Sequence, residues 1–257
     1  MIINITMTAI RRPELHERVL KSFCEKMFYP AMEKDPRLKI GIYINLDPIG
    51  EGTKEETRYI FRKMFPKSDI GIHEPIKAHF GKAFWRTWCC NATPADFTFH
   101  LEDDWELLQS VDLLNLIRIM QKFPTLQILR LNAFKGGTYW TKNWNKYIPW
   151  NGIFYEIPPN ERGLLGFTGH PSLIRQSFIN EIAPQLNPNR NPEKQIKGKN
   201  QKFKHLFQDL NRYGVWGMRG KGPIVRDIGR PWMIKNGYRK KGSKAWFTEY
   251  IKVKGNK

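Results

Sequence analysis

Hydrophobic and polar positions along this 257-residue chain switch repeatedly between two periods. Ile2 to Thr8 is an almost unbroken apolar run carrying few charges, which predicts a core strand, and Pro13 and Glu14 then open a helical pattern. In that pattern Leu15, Val19, Phe23 and Met27 share one face. Leu38 to Asp47 predicts a second strand ending in an acid, followed by the turn-rich Pro48-Ile49-Gly50-Glu51-Gly52. Thr53 to Phe65 has helical period, Asp69 to His73 gives a short third strand, and Lys77 to Asn91 predicts a helix. Phe97, Phe99 and Leu101 alternate along a fourth strand. The order βαβαβαβ implies an α/β fold whose mostly parallel sheet is covered by helices on both faces.

The second half is less regular. Asp112 to Lys122 predicts a helix and Gln127 to Leu131 a strand. Residues 132–160 show no clean period and read as loops and a hairpin, with Trp140, Trp144, Tyr147 and Trp150 among them and Tyr155-Glu156-Ile157-Pro158 as an edge strand. Ser172 to Ala183 predicts a helix, and Asn191 as cap, Pro192 and Glu193 start another. Lys194 to Arg212 predicts a basic amphipathic helix with Phe203, Leu206, Phe207 and Leu210 on one side. Ile224 to Arg230 reads as a last strand and turn.

Charge divides the chain in two. The net charge is +19, and residues 194–257 alone carry 18 basic against 3 acidic side chains. The expected organisation is therefore a core over 1–193 and a basic C-terminal extension over 194–257. A field of that sign favours polyanions: nucleic acid, an anionic membrane surface or a phosphate leaving group. In the tail, Trp232, Tyr238, Trp246, Phe247 and Tyr250 are interleaved with Lys235, Arg239, Lys240, Lys241 and Lys244, a pattern suited to backbone contact and base stacking or to closing over a diphosphate. Three cysteines make neither a disulfide framework nor a zinc site. The short apolar start lacks a basic prefix, and no apolar run approaches spanning length, so a cytoplasmic protein is expected.

The chemistry concentrates at Glu102-Asp103-Asp104, where the fourth strand ends. Three adjacent acids repel one another, and a divalent cation would relieve them. Oxygen-only ligation suits Mg2+ or Mn2+, ions that keep water and substrate phosphate in their remaining positions. A solvated turn opening the next helix is the alternative reading.

In their order along residues 1 to 200, these features resemble the GT-A class of nucleotide-sugar glycosyltransferases, with a Rossmann-like sheet. The resemblance rests on an opening strand with Thr8, Arg11, Arg12 and Pro13, a second strand ending in Asp47, a Gly81-Lys82-Ala83 helix with Asn91, and the Glu102-Asp103-Asp104 motif. It implies that Thr8, Arg11, Arg12, Asp47 and Lys82 serve the donor, a nucleoside diphosphate sugar with a UDP-sugar foremost. It also implies that Asp104 binds the metal, with Glu102 and Asp103 touching ribose or reaching the ion through water. The family usually has Asp at the position of Glu102. Glu193 resembles the acceptor-side general base of inverting members, and Asp227 stands where a late metal ligand, often His, is found.

The basic segment extends the resemblance to phage enzymes that glycosylate hydroxymethylated pyrimidines in DNA, with His170, Arg230, Lys235, Arg239 and Lys240 as acceptor-side residues. Attack by a hydroxyl on a base requires that base outside the duplex. The alternatives are a glycan, lipid or protein acceptor at a membrane surface, and a metal-dependent nuclease or phosphoesterase.

Overall fold

The computed structural model describes residues 1–89, 94–133, 150–165, 167, 169–196, 200–208, 210–217, 222–241 and 249–252. Their strands are β1 (Ile2–Arg11), β2 (Lys39–Gly50), β3 (Ile70–His73), β4 (Phe97–Glu102), β5 (Trp105–Leu107), β6 (Leu126–Leu131), β7 (Tyr155–Glu156), β8 (Ser172–Arg175), β9 (Arg212–Trp216), β10 (Val225–Asp227), β11 (Tyr238–Lys241) and β12 (Glu249–Lys252). Eight of them form one sheet in the order β3-β2-β1-β4-β8-β6-β9-β7. β3, β2, β1, β4, β6 and β9 all point one way; β8 and β7 oppose them. Six parallel strands therefore bring their C-terminal ends to one edge, where open α/β sheets bind ligands.

Local chemistry explains the main elements. β1 is buried along most of its length, as expected of an inner parallel strand covered on both faces. α1 (Pro13–Phe23) starts with Pro at its first turn and runs through a π-type stretch, Cys24–Phe28, into α2 (Tyr29–Lys34). α3 (Lys54–Met64) opens with a full capping box: the Glu56 N–H donates to Thr53 Oγ1 at 3.1 Å and the Thr53 N–H to Glu56 Oε2 at 2.6 Å. α4 (Phe80–Cys89) and α5 (Leu113–Lys122) follow, the second capped by Asp112. Further along are α6 (Pro159–Leu165), α7 (Gln176–Ile182), α8 (Pro192–Gln195) and α9 (Gly229–Lys235). Two apolar clusters cover the sheet, one formed with α1, α3 and α5, the other with α4, α7 and the segment 201–207.

The sequence reading departs from the structure chiefly in the second half of the chain. Ser172–Arg175 is not the start of a helix but a strand between β4 and β6; Leu173 packs in the first apolar cluster and Ile174 in the second, the period of a strand. The stretch 194–212 is not one amphipathic helix: its described residues hold the end of α8 and a 3-10 turn at Gln201–Phe207, with Leu210 exposed. Phe203, Leu206 and Phe207 are nevertheless buried. The chain after residue 194 also contributes β9 to the central sheet and β10 to a two-stranded ribbon with β5. Tyr155–Glu156 is the edge strand expected. Cys90, Asn91, Trp140, Trp144, Tyr147, Lys244, Trp246 and Phe247 lie outside the described residues.

Candidate functional site

Register sets the site. Thr8 on β1 lies opposite Glu102 on β4, and Asp47 on β2 lies opposite Ile10. The three strands thus deliver Thr8, Asp47 and the acidic turn to the same edge. A cleft of about 260 Å³ opens there, lined by Thr8, Arg12, Asp47, Glu102, Asp103, Asp104, Trp105, Asn191, Glu193 and Asp227 together with the apolar Ala9, Ile10, Ile49, Phe80 and Ala83.

The three acids of the turn have different surroundings. Asp103 is clasped: Arg12 donates from Nε at 2.8 Å and from Nη2 at 2.6 Å, the Ile10 N–H donates at 3.0 Å, and His16 Nε2 stands 3.1 Å from Oδ2. Burial opposes its ionisation, but Arg12 and His16 overcome that and hold its pKa well below the usual carboxylate range. Asp104 keeps more exposure and shares Arg12 Nη2 at 3.0 Å. Burial, with Asp103 and Asp227 nearby, pushes its pKa up to about 6 against the pull of Arg12. Glu102 accepts from Trp105 Nε1 at 3.3 Å, and burial, Asp104 and Glu193 raise its pKa well above the ordinary value. Asp47 accepts from Asn45 Nδ2 at 2.8 Å and the His79 N–H at 3.1 Å; burial lifts it to about 6.

Two glycines let distant chain segments reach these acids. A Cβ on Gly169 would stand 2.6 Å from Glu102 Oε1, and the Gly169 N–H donates to Glu193 Oε1 at 2.7 Å. Gly169 therefore holds Glu102 and Glu193 on either side of one peptide. A Cβ on Gly229 would stand 2.3 Å from Asp104 Oδ2. That close approach seats α9 beside the acidic turn, and the Ile228 N–H donates to the Asp104 carbonyl at 2.8 Å. Asp227, paired with Trp105 across the β5–β10 ribbon, accepts from the Gly229 N–H at 2.8 Å.

No protein-family model matches this sequence, and no curated protein matches it. Solved structures do. S. aureus TarS 1-349 in complex with UDP is 13% identical with a TM-score of 0.52, over 88% of this chain and 60% of that one. The same protein in complex with UDP-GlcNAc gives 13% and 0.51 over 88% and 58%, and a longer S. aureus TarS structure 13% and 0.53 over 88% and 36%. The fold is of the GT-A type. This chain spans between about a third and three fifths of the length of those structures.

Of the residues expected around the donor, Thr8, Arg12, Asp47, Glu102 and Asp103 line the cleft, as do Asp104, Asp227 and Glu193. Arg11 and Lys82 do not. Arg11 is ion-paired with Glu74, and Lys82 is exposed on α4. His170 packs edge-on against Trp105 at 4.7 Å, and burial followed by the Arg130 charge lowers its pKa to about 3. Arg230, Lys235 and Arg239 are exposed and outside the cleft lining. The backbone of Lys240 lies in β11, and its side chain lies outside the described residues.

Trp232 and Tyr238 are packed against the fold rather than free to stack on bases, one of the two roles expected of the tail. Trp232 is 6% exposed; Arg12 sits 5.8 Å over its ring, its Nε1 donates to Glu14, and Tyr238 stacks on it at 5.6 Å. Tyr238 OH and Lys252 Nζ both donate to Glu51, at 2.8 and 2.5 Å. The tail is strapped across the β1–α1 and β2–α3 loops. Sequence reading also missed His16, Gly169 and Gly229. Gly229, in Asp-Ile-Gly-Arg, carried a local signal as a helix start, whereas His16 carried none.

For a divalent cation the donors would be Asp104 and Asp227, which line the cleft together with Glu102. Among the described residues no group of three His, Cys, Asp or Glu side chains is placed to hold a metal. One or two carboxylates with substrate phosphates and water is the usual Mg2+ arrangement, so the residues fit an ion that arrives with a diphosphate. No described helix is long and apolar enough to cross a membrane.

Proposed function

We propose that this chain is a glycosyltransferase that moves a sugar from a nucleoside diphosphate sugar, a UDP-sugar foremost, to a hydroxyl acceptor with inversion. The observation that carries the reading is the convergence of Asp104, Asp227 and Glu193 in one cleft at the C-terminal edge of a GT-A type sheet. Likeness to structures in complex with UDP and UDP-GlcNAc supports the donor class.

Each residue then has a task. Thr8, Asp47 and Glu102 contact base and ribose. Asp104 and Asp227 would hold Mn2+ or Mg2+, which when bound neutralises charge on the departing diphosphate. Arg12 and Asp103 act as a fixed pair that aims Asp104. Glu193, oriented by the Gly169 N–H, accepts the proton of the acceptor hydroxyl as that oxygen bonds to the anomeric carbon. The bond from that carbon to the diphosphate oxygen breaks, and its electron pair leaves with the nucleotide.

The acceptor we favour is a hydroxymethylated base in DNA, on the strength of the +19 net charge and its concentration after residue 194. Arg230, Lys235, Arg239 and Lys240 then serve the backbone, and His170 with Trp105 borders the acceptor side. The test is turnover of a panel of nucleotide sugars with Mn2+ or Mg2+, for wild type and Asp104→Ala, with hydroxymethylated or plain DNA added. Metal-dependent turnover lost in the variant and stimulated by the modified DNA alone is expected. Absence of nucleotide-sugar binding refutes the transferase; turnover indifferent to DNA, but raised by a glycan or a lipid surface, refutes the acceptor.

A further inference from the structure

A polyanion is poorly served by the cleft itself. Among the described residues six carboxylates line it, and the one lining cation, Arg12, is engaged by two of them. A nucleic-acid strand that offers one hydroxyl to Glu193 therefore needs its phosphates held elsewhere.

A second cavity, of about 610 Å³, has the opposite chemistry. Among the described residues no carboxylate lines it. Asn115, Arg118 and Lys122 form one stripe of α5, Gln109 lies ahead of them, and Trp150 and Trp216 are part of the lining. Arg118 and Lys122 are exposed, Arg118 with the Asp112 carboxylate 3.9 Å away at the start of α5, and Trp150, packed against Tyr155 on one side, is 43% exposed. Cations with an accessible indole and amide side chains are the equipment of a groove that tracks a phosphodiester backbone and stacks its bases. The position suits the task. Trp216 ends β9 at the same sheet edge as Glu102, three strand spacings from β4, which is about 14 Å. The β5–β10 ribbon joins the two sites, with Asp227 in the cleft and Ile224 in the groove.

We propose that this groove binds a single-stranded stretch of the acceptor nucleic acid, with Arg118 and Lys122 on phosphates and Trp150 stacked on a base. The proposal rests on the DNA-acceptor reading above.

The test is fluorescence anisotropy of a labelled single-stranded hydroxymethylated oligonucleotide with the full chain across a salt series. Wild type is compared with Trp150→Ala, Lys122→Glu and, as a charge-matched control, Lys67→Glu, an exposed site just before β3 at the opposite edge of the sheet. Trp150→Ala is expected to bind roughly tenfold more weakly with an unchanged salt slope. Lys122→Glu is expected to bind more weakly with the slope reduced by about one, and Lys67→Glu to match wild type. Circular dichroism confirms folding, which exposed substitutions should preserve. Wild-type affinity in both groove variants overturns the groove and leaves the DNA acceptor standing. Nucleotide-sugar binding without any DNA binding overturns both and leaves the transferase. An anionic oligosaccharide bound in place of DNA, and lost in the same variants, overturns the nucleic-acid assignment.

Discussion

At the scale of single residues, the neighbouring acids Asp103 and Asp104 should fail differently. Asp103 is 3% exposed and holds four close partners, so Asp103→Asn leaves Arg12 buried without its main counter-charge and is expected to cost about 3–5 kcal/mol of stability. Asp104→Asn removes one of several mutually repelling acids; urea unfolding at pH 7 should show little loss, while metal-dependent turnover disappears. A larger stability loss for Asp104→Asn than for Asp103→Asn would reverse these assignments. His100 offers a pH test. It is fully buried, near Thr6 Oγ1 at 3.4 Å and Trp88 Nε1 at 3.5 Å, and burial lowers its pKa to about 3. A depressed histidine binds fewer protons folded than unfolded, so its contribution is present above about pH 6.5 and is lost as pH falls toward 3. Between pH 7 and 5 this one group should remove about 2 kcal/mol. His100→Gln should flatten that part of the acid limb in urea titrations at pH 7, 6 and 5; an unchanged slope would show that His100 protonates freely in the fold. None of this differentiation was legible beforehand. The Glu-Asp-Asp spacing pointed to a metal and a phosphate, but which acid is clasped depends on Arg12 and His16, about ninety positions earlier.

At the scale of elements, the C-terminal strap has a measurable role. α9 and β11 press Trp232 and Tyr238 onto the β1–α1 loop and tie them to Glu51 beyond β2. Trp232→Ala is expected to cost about 3–5 kcal/mol and to lower donor affinity, because Arg12 loses the ring beneath it. Tyr238→Phe removes the hydroxyl's bond to Glu51 and its contact with the Gly50 backbone, and should shift thermal unfolding slightly. Donor affinity equal to wild type in Trp232→Ala would make the strap a stability device alone. The sequence showed these aromatics among lysines and suggested base stacking or closure over a diphosphate, but not their burial, because packing against a loop over two hundred residues away leaves no local mark. The N-terminal βαβαβαβ order was readable for the converse reason: long buried strands and capped amphipathic helices carry their own period. β8 escaped because four residues whose Leu173 and Ile174 are both buried satisfy a helical start as well as a strand.

At the scale of the whole molecule, charge is segregated. The chain is strongly basic, yet its cleft gathers six carboxylates. On the proposed function the two fields act on donor and acceptor in opposite ways. A nucleoside diphosphate entering that cleft meets like charge, so its binding should depend on a divalent cation far more than on ionic strength. A polyanion meets the basic exterior first, and each phosphate it pairs releases counterions, so its binding should depend on ionic strength far more than on the metal. Raising salt from 50 to 200 mM is therefore expected to weaken DNA binding by about 10³ if some six phosphates are engaged, while leaving metal-loaded donor affinity within severalfold. Chelation by EDTA should do the reverse, abolishing donor binding and sparing DNA. Calorimetry of the donor and anisotropy of the oligonucleotide, run in the same four buffers, read both responses. Donor binding that survives EDTA would remove Asp104 and Asp227 from any metal role and leave Arg12 as the group that meets the diphosphate. DNA binding that ignores salt would mean that the charge accumulated after residue 194 does not face the acceptor.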